Sequence, residues 1–425
     1  MNEKRRISLS ITVFCIIAAM FLLAGVYGVS RMQAQATGVE VSSSALAEAT
    51  PESVGLSSSR LARIDSVVMR YIRDGVFPGA VVGVVRDGKV VYRKAFGYRQ
   101  TIGDSVAMTL DTRFDLASLT KPVAVATSVL QLVERGDITL GDRVDKYIPN
   151  FRGWASKESP KDSVHIRIAD LMTHTSGLPP YVMPKRILEA DPSAQLPASS
   201  EVIDYIARCD RLSVARTERL YSCLNYIVLA HIVEQVTGKR IDEYARESIF
   251  EPLSMLNTRY MPDAEYAALC APTERGRDGS LYSGVVHDPL AREAMGGVSG
   301  NAGLFSTLDD LLRYVTMLLN GGTLDGVQVL APRTVDIMLS RLHGYERFDR
   351  TPGWESYASC SQTGGDLLSL STVGHTGATG TSIVIDPEHN LSIIILTNYI
   401  HTTKQRSLLD FRSKIATVVG ASICW

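Results

Sequence analysis

Ser118 and Lys121 frame a four-residue segment, S-L-T-K, whose residue types and spacing suit covalent chemistry. In a helix, residues three positions apart share one face, so the lysine amine would lie beside the serine hydroxyl. A serine hydroxyl is a weak nucleophile at neutral pH, and a desolvated lysine that has lost its proton can activate it. The apolar run at 122–134 predicts the helix and places Ser118 near its N-terminus, where free N–H groups favour developing negative charge. Ser118 is therefore predicted to be a nucleophile, with Lys121 as its activating partner.

Two segments further along the chain could complete such a site. Tyr221 precedes a strongly apolar run, and a buried tyrosine hydroxyl near a lysine can pass protons to and from a leaving group. The segment H-T-G-A-T-G, from His375 to Gly380, offers a glycine-rich strand edge whose N–H groups can stabilise an oxyanion. Taken singly, each motif also has a structural interpretation: a helix-start serine with a surface lysine, a core tyrosine, or a turn with a surface histidine.

Other polar and aromatic residues fit structural roles at least as well. His174 is interpreted as a loop-stabilising histidine rather than a catalyst, and His287-Asp288 as loop residues, with a place beside the cleft as the second interpretation. Trp154 and Trp354 either line a pocket or pack in the protein. No cluster has the spacing of a metal site, and no phosphate-binding loop is present, so neither a metal nor a cofactor is expected.

The elements that must position these motifs come from both ends of the chain. Helical spacing predicts a helix at 57–74, and two β-rich runs at 80–85 and 90–94 predict a hairpin. The middle of the chain consists of helical patches and loops, with an apolar helix at 225–236 and another helix at about 308–319. Strands return at 381–385 and 391–396, before a last helix at about 405–419. This order predicts an α/β (α+β) fold, with an antiparallel sheet built from both ends and a helical insertion.

The N-terminus predicts export. Lys4, Arg5 and Arg6 precede an uncharged stretch of 24 residues at 7–30, which is long enough to span a bilayer as a helix. The small-residue triplet at 34–36 offers a cleavage site, so residues 1–36 are either an uncleaved anchor or a cleaved signal peptide. A buried N-terminal helix of the folded domain is the remaining alternative. Residues 37–50 are small and polar and are interpreted as a linker.

Composition excludes several other classes of protein. The chain has 425 residues, 45% of them hydrophobic and 21% charged, which is typical of a globular protein. Its net charge of −1 gives no support for a nucleic-acid partner. The six cysteines show neither a C-x-x-C pair nor zinc spacing, and one lies in the N-terminal apolar segment, so no disulfide framework is expected. Membrane contact is expected through the N-terminal segment only.

The order and spacing of the three motifs resemble the serine β-lactamase and penicillin-binding protein superfamily, and most closely its class C-like branch, which includes esterases and D-amino-acid peptidases. That family has S-x-x-K, then Tyr-x-Asn, then a strand that begins with Lys or His followed by Thr-Gly. The segments at 171–178, 295–307 and 374–386, and L-T-N at 396–398, are similar to other parts of the branch. The resemblance runs from about residue 51 to the C-terminus. It implies an α/β core at about 51–116 and 300–425 and a helical subdomain at about 117–299.

The resemblance implies a role for each matching residue. Ser118 would be acylated, and Lys121 and Tyr221 would share the proton transfers. The N–H groups of Ser118 and Ala378 would form the oxyanion hole. Three residues of the third motif, His375, Thr376 and Gly377, would contact the substrate, with the histidine where penicillin-hydrolysing members usually carry lysine.

One position departs from the family pattern. Cys223 stands where the family has the asparagine or aspartate of Tyr-x-Asn, in a substrate-binding position. A thiol is a weak hydrogen-bond donor and acceptor, so it would support the lysine and the substrate amide less well.

Together with the resemblance, these residues predict a serine hydrolase that forms an acyl-enzyme with a peptide, ester or β-lactam carbonyl, so the expected partner is a small-molecule or cell-wall peptide substrate. His375 and Cys223 favour a D-alanyl carboxypeptidase-like or esterase activity in the cell envelope over β-lactam hydrolysis. A β-lactamase remains one alternative. The other, from a different class of protein, is a non-catalytic module that binds or senses cell-wall peptides through a degraded site, for which Cys223 is the only positive support.

Overall fold

The computed structural model of the protein describes residues 46–154, 164–188, 199–276, 279–356, 361–402 and 407–424. All of them belong to one compact unit, Ala45–Trp425. The predicted anchor or signal peptide at 1–36 and most of the linker lie outside the described residues. Within the described ranges, no helix combines the length and the apolar character needed to cross a membrane.

A seven-stranded antiparallel sheet lies at the centre of this unit. Its strands are β1 (Gly79–Arg86), β2 (Lys89–Gln100), β3 (Val106–Ala107), β4 (Glu355–Ser356), β5 (Val373–Thr376), β6 (Ser382–Asp386) and β7 (Leu391–Thr397). Their order across the sheet is β3-β2-β1-β7-β6-β5-β4, so the N-terminal strands pair with the C-terminal ones between β1 and β7. The prediction of an antiparallel sheet built from both ends of the chain is confirmed.

Strand β1 shows why the sheet is buried on both faces. Successive side chains of a strand point to opposite faces. Val81 and Val85 accordingly belong to the larger hydrophobic core, which the sheet shares with the helical middle of the chain. Ala80, Val82 and Val84 belong to a second core on the other face. An all-apolar strand of this kind needs a layer of helices on each side of the sheet.

Seven helices of eight or more residues are present in the described part of the chain: α1 (Arg63–Arg73), α2 (Thr127–Glu134), α3 (Ser199–Arg208), α4 (Cys223–Thr237), α5 (Leu308–Leu319), α6 (Pro332–Leu339) and α7 (Leu409–Gly420). Shorter α-helices are Ser58–Leu61, Ile168–Met172, Pro184–Leu188, Ile241–Ala245, Ala264–Ala267 and Ser361–Gly364. Turns of 3₁₀ type are Pro51–Val54, Ala117–Leu119, Val144–Lys146, Glu346–Phe348 and Tyr399–His401, and wider π turns are Lys121–Ala126, Arg246–Phe250 and Leu290–Ala294. Two-residue strands pair Phe114–Asp115 with Phe305–Ser306 and Thr323–Leu324 with Val327–Gln328.

Most predicted elements are present with shifted ends. Helix α5 begins and ends where the pattern predicted, whereas the helix predicted at 57–74 is divided at Ala62 into Ser58–Leu61 and α1. The apolar helix after Tyr221 begins two residues earlier than predicted, because Ser222 caps it by accepting a hydrogen bond from the Leu224 N–H at 3.2 Å. His375 lies inside β5, an additional strand that precedes the predicted strand at 381–385. Amphipathic periodicity predicts which elements are present, but capping contacts determine the residues at which they begin and end.

Candidate active site

Ser118 and Lys121 lie next to each other, as their spacing predicts. Ser118 is in the 3₁₀ turn Ala117–Leu119, and Lys121 begins the π turn that leads into α2. The lysine Nζ donates a hydrogen bond to Ser118 Oγ at 2.9 Å. Lys121 is fully buried, whereas Ser118 is half-buried and lines an open cleft. The pair thus combines an accessible hydroxyl with a cationic partner shielded from water.

The turn that carries Ser118 is strained and held from two sides. Ala117 has a φ of 47°, which is unusual for a residue with a Cβ. Asp115 Oδ1 accepts a hydrogen bond from the Ala117 N–H at 2.8 Å, and its Oδ2 accepts one from the His287 N–H at 2.7 Å. Burial raises the pKa of the Asp115 carboxyl, although both N–H donors act in the opposite direction. Asp115 was not predicted from the sequence, because no spacing rule identifies a residue whose side chain binds the backbone of the turn that carries Ser118.

Lys121 is held by the glycine-rich segment that follows Asp288. Its Nζ donates a second hydrogen bond to the Asn301 carbonyl at 2.8 Å, and Asn301 Nδ2 donates to Asp288 Oδ1 at 3.1 Å. Burial works against the charged form, but the acidic groups of Cys223, Tyr221 and Asp288 outweigh it and raise the pKa of the Lys121 ammonium above its ordinary value. The raised pKa favours the charged ammonium over the deprotonated amine that a lysine base would need. Asp288 thus lies close to Lys121, although neither His287 nor Asp288 is among the residues that line the cleft.

Tyr221 lies between two cations and two imidazoles. Lys121 Nζ is 5.1 Å from the centroid of its ring, and Arg350 Cζ is 5.4 Å from the same point. The ring centroids of His174 and His375 are 4.4 Å and 6.0 Å away. The tyrosine is half-buried rather than buried, and it lines the same cleft as Ser118. The structure thus brings the first and second motifs together.

His174 supports the segment around Tyr221. Its Nδ1 accepts hydrogen bonds from the Ser222 N–H at 3.1 Å and from Asn225 Nδ2 at 3.0 Å, so this nitrogen carries no proton. Burial, together with the charges of Arg350 and Lys121, holds the pKa of the His174 imidazole well below its ordinary value. These contacts are those of a loop-stabilising histidine.

The third motif forms the opposite wall of the cleft. His375 is buried in β5, and its Nδ1 lies 2.9 Å from the Thr376 carbonyl, which accepts the hydrogen bond. Burial, then the charges of Arg350 and Lys121, keep the pKa of the His375 imidazole well below its ordinary value, so the ring is neutral at neutral pH. A Cβ at Gly377 would lie 2.4 Å from the Leu116 carbonyl oxygen, so only glycine lets this loop pack against the nucleophile turn.

The cleft between these walls has a volume of about 460 Å³. The described residues that line it are Ser118, Tyr221, Arg350, Glu355, His375, Thr376, Gly377, Ala378, Tyr399, Ser407, Leu408, Leu409 and Arg412. Six of the predicted site residues therefore share one surface: the nucleophile, the tyrosine and four consecutive residues of the third motif. Cys223 is half-buried at the start of α4, close enough to Lys121 to influence its pKa. Of the two tryptophans, Trp354 is fully buried in the larger core.

Sequence reasoning missed two buried arginines in the cleft. Arg350 donates to Glu355 Oε1 at 2.6 Å, and Arg412 donates to the Thr381 carbonyl at 2.9 Å. Burial lowers the pKa of the Arg412 guanidinium to about 10, which leaves it charged at neutral pH. Neither arginine belongs to a recognisable motif. Their positions near strand β4 and in helix α7 become informative only once the strand order is known.

The chain is similar to known proteins over most of its length. The family model described as Beta-lactamase matches residues 64–416. A putative D-alanyl-D-alanine carboxypeptidase from Escherichia coli (strain K12) is 33% identical over 385 residues, which cover 84% of this chain and 86% of that protein. An N-acetylmuramyl-L-alanine amidase from Bacillus subtilis (strain 168) is 32% identical over 384 residues and 83% of each chain. Among solved structures, a class C beta-lactamase superimposes with a TM-score of 0.65 at 19% identity, covering 86% of this chain and 97% of the other.

Proposed function

This chain belongs to the β-lactamase family of serine hydrolases, and on that premise we propose that it cleaves the terminal D-alanyl bond of a cell-wall peptide through an acyl-enzyme on Ser118. The observation that carries the proposal is the 2.9 Å contact between Lys121 Nζ and Ser118 Oγ at the edge of an open cleft. The name of the related protein from Escherichia coli, putative D-alanyl-D-alanine carboxypeptidase, supports a peptide substrate. The neutral His375, in place of a lysine, favours a peptide or ester over a β-lactam.

The proposed reaction assigns each group one task. The Tyr221 phenolate accepts the Ser118 proton while the serine oxygen attacks the carbonyl carbon, and the Lys121 ammonium stabilises the negative charge that develops nearby. The N–H groups of Ser118 and Ala378 bind the oxyanion of the tetrahedral intermediate. Tyr221 then returns the proton to the departing amine, and D-alanine leaves. A water molecule then attacks the serine ester while the Tyr221 phenolate accepts its proton, and transfer of that proton to Ser118 Oγ breaks the ester, releases the carboxylic acid and restores the hydroxyl.

Substrate comparison tests this proposal. The purified protein is incubated separately with a muramyl pentapeptide that ends in D-Ala-D-Ala, with p-nitrophenyl acetate and with a chromogenic cephalosporin. Released D-alanine is measured for the peptide, and the change in absorbance is measured for the other two substrates. We expect release of D-alanine and hydrolysis of the ester, with the cephalosporin the poorest substrate. Cleavage between the muramyl group and L-alanine would instead indicate an amidase. A protein that is inert with every substrate, and whose Ser118 is not labelled by a fluorophosphonate, would support a peptide-binding module.

We propose further that the protein acts outside the cytoplasm. The support is the sequence pattern at the N-terminus, Lys4, Arg5 and Arg6 followed by the apolar stretch at 7–30. In fractionated cells the protein is expected in the periplasm or the cytoplasmic membrane, with its folded domain accessible to protease in spheroplasts. Recovery from the cytosol with residues 1–36 intact would contradict export.

Cys223 is predicted to limit the rate of acylation. The thiol next to Lys121 is a weak hydrogen-bonding group, and a restored hydrogen bond to a charged group contributes roughly 1.5–3 kcal/mol. If the bond strengthens in the transition state, Cys223→Asn and Cys223→Asp should each raise kcat/KM about tenfold to a hundredfold. The measurement uses p-nitrophenyl acetate and the D-Ala-D-Ala peptide, with thermal melting as the control for folding. Two well-folded variants that are no faster would mean that the thiol already suits the substrate of this enzyme.

A further inference from the structure

Asp115 is a buried acidic residue next to the nucleophile turn, Ala117–Leu119. Only 3% of the residue is exposed, and it is not among the described residues that line the cleft, so its side chain is not a candidate for contact with the substrate. Both carboxylate oxygens accept hydrogen bonds from backbone N–H groups, Oδ1 from Ala117 and Oδ2 from His287. Burial of a carboxylate is unfavourable unless such bonds satisfy its oxygens.

The first of these bonds holds a strained residue. Ala117 has a φ of 47°, a left-handed conformation that costs free energy for a residue with a Cβ and persists only where the surroundings enforce it. The peptide unit that follows Ala117 carries the Ser118 N–H, one of the two proposed oxyanion donors. Because the Asp115 carboxylate binds the Ala117 N–H at 2.8 Å, it fixes the peptide that precedes the strained residue and, through it, the direction of the next N–H.

The second bond connects the nucleophile turn to the segment that holds Lys121. The His287 N–H donates to Asp115 Oδ2 at 2.7 Å. The next residue, Asp288, accepts a hydrogen bond from Asn301 Nδ2 at 3.1 Å. The Asn301 carbonyl in turn accepts the bond from Lys121 Nζ at 2.8 Å. The nucleophile turn and the lysine are thus fixed to one hydrogen-bonded network.

The main chain of Asp115 contacts the other side of the proposed oxyanion hole. Its carbonyl accepts a hydrogen bond from Thr379 Oγ1 at 2.7 Å, and Thr379 directly follows Ala378. The Leu116 carbonyl accepts one from Thr381 Oγ1 at 3.1 Å. The main chain at 115–116 therefore fixes the nucleophile turn to the loop of the second oxyanion donor, and the Asp115 carboxylate determines how the first donor is directed.

We infer that Asp115 is a positioning residue whose carboxylate holds the nucleophile turn, and with it the Ser118 N–H and hydroxyl, in a fixed position relative to Lys121. The inference rests on the proposed function, because it concerns the nucleophile and the oxyanion hole of that reaction. Donors stabilise an oxyanion most when they need not reorient as the charge develops, and a displacement of about 1 Å can slow a reaction about 10²-fold. Asp115 thus acts on the transition state through Ser118 and has no task in binding the substrate before the reaction.

Asp115→Asn tests the inference at nearly constant side-chain volume. The amide keeps one acceptor oxygen and places its NH₂ group against the other backbone N–H, so one of the two bonds is lost. We expect kcat/KM for p-nitrophenyl acetate to fall about 10- to 100-fold. The inhibition constant of phenylboronic acid, which forms a tetrahedral adduct on the serine, should rise by a similar factor. Binding of the D-Ala-D-Ala peptide, measured by calorimetry in the Ser118→Ala background, should change by about twofold or less.

Asp386→Asn is the matched control. Asp386 is also a fully buried aspartate, and its Oδ2 accepts a backbone N–H, from Ser369 at 3.0 Å. It lies at the end of β6 away from Ser382, which pairs with the cleft residue Thr376. This variant should lower the melting temperature and leave kcat/KM and the inhibition constant unchanged. Asp115→Ala is a second variant that removes both acceptors without placing an amide donor against an N–H, and it should also slow the reaction.

Three results would overturn the inference alone. Asp115 variants that melt at a lower temperature but keep the wild-type kcat/KM would assign the carboxylate a structural role only. A loss of rate accompanied by equally weakened peptide binding would indicate a distorted cleft in place of a misdirected donor. Failure of both Asp115 variants to fold, where Asp386→Asn folds, would assign the residue to folding. An inert wild-type protein, unlabelled by a fluorophosphonate, would instead overturn the proposed function and this inference with it.

Discussion

Ser118→Ala is expected to abolish hydrolysis of both p-nitrophenyl acetate and the D-Ala-D-Ala peptide, a loss of about 10³-fold or more. The physical reason is that the alanine side chain has no oxygen with which to form the acyl-enzyme. The fold should be unaffected, because Ser118 is half-buried on a cleft wall and its hydroxyl accepts one bond from Lys121. A change in stability of about 0.5 kcal/mol or less is typical of such sites.

The measurement combines steady-state rates with mass spectrometry of the protein after it has reacted with a fluorophosphonate probe. Wild type should gain one adduct on Ser118, and the variant none. Ser340→Ala is the matched control, since Ser340 is exposed at the end of α6 and should leave rate and labelling unchanged. A Ser118→Ala protein that hydrolyses the ester at the wild-type rate would show that another residue is the nucleophile.

Lys121→Met is expected to slow acylation by about 10²- to 10⁴-fold, the range for a positioned group that assists proton transfer. Methionine fills much of the lysine volume, so the variant tests charge and hydrogen bonding more cleanly than alanine would. The variant loses two hydrogen bonds of the lysine, to Ser118 Oγ and to the Asn301 carbonyl.

The pH profile of the wild-type protein gives a second expectation. Because the pKa of the Lys121 ammonium is raised, the acylation rate should be kept up to at least pH 10.5, the ordinary pKa of lysine, and should fall only above that pH.

Lys121→Arg separates charge from geometry. The position is fully buried, and the guanidinium is larger than an ammonium and does not give up its proton, so we expect no rescue. Single-turnover acylation, with circular dichroism as the folding control, provides the measurement. An active arginine variant would mean that a positive charge alone suffices. A rate that rises as Lys121 loses its proton would instead identify the neutral amine as the base.

The sequence alone was sufficient to predict features that depend on local spacing. A serine and a lysine three positions apart on a helical turn must be neighbours, whatever surrounds them, and the 2.9 Å contact follows from that geometry. Runs of β-forming residues on either side of turn residues similarly predicted the strand pairs β1–β2 and β6–β7. The three motifs carried the family resemblance, and with it the expectation that distant segments meet in one cleft.

Only the tertiary structure decided which groups surround those motifs and what charge they carry. Arg350 reaches Tyr221 from beside an edge strand, and the Asp115 carboxylate links the nucleophile turn to the His287 backbone. The Asn301 carbonyl binds Lys121 across 180 residues of sequence. No spacing rule relates such positions, because the strand order brings them together. Protonation has the same origin: the neutral state of His375 and the charged state of Lys121 result from burial and neighbouring charges, which depend on distances in space and not on positions in the chain.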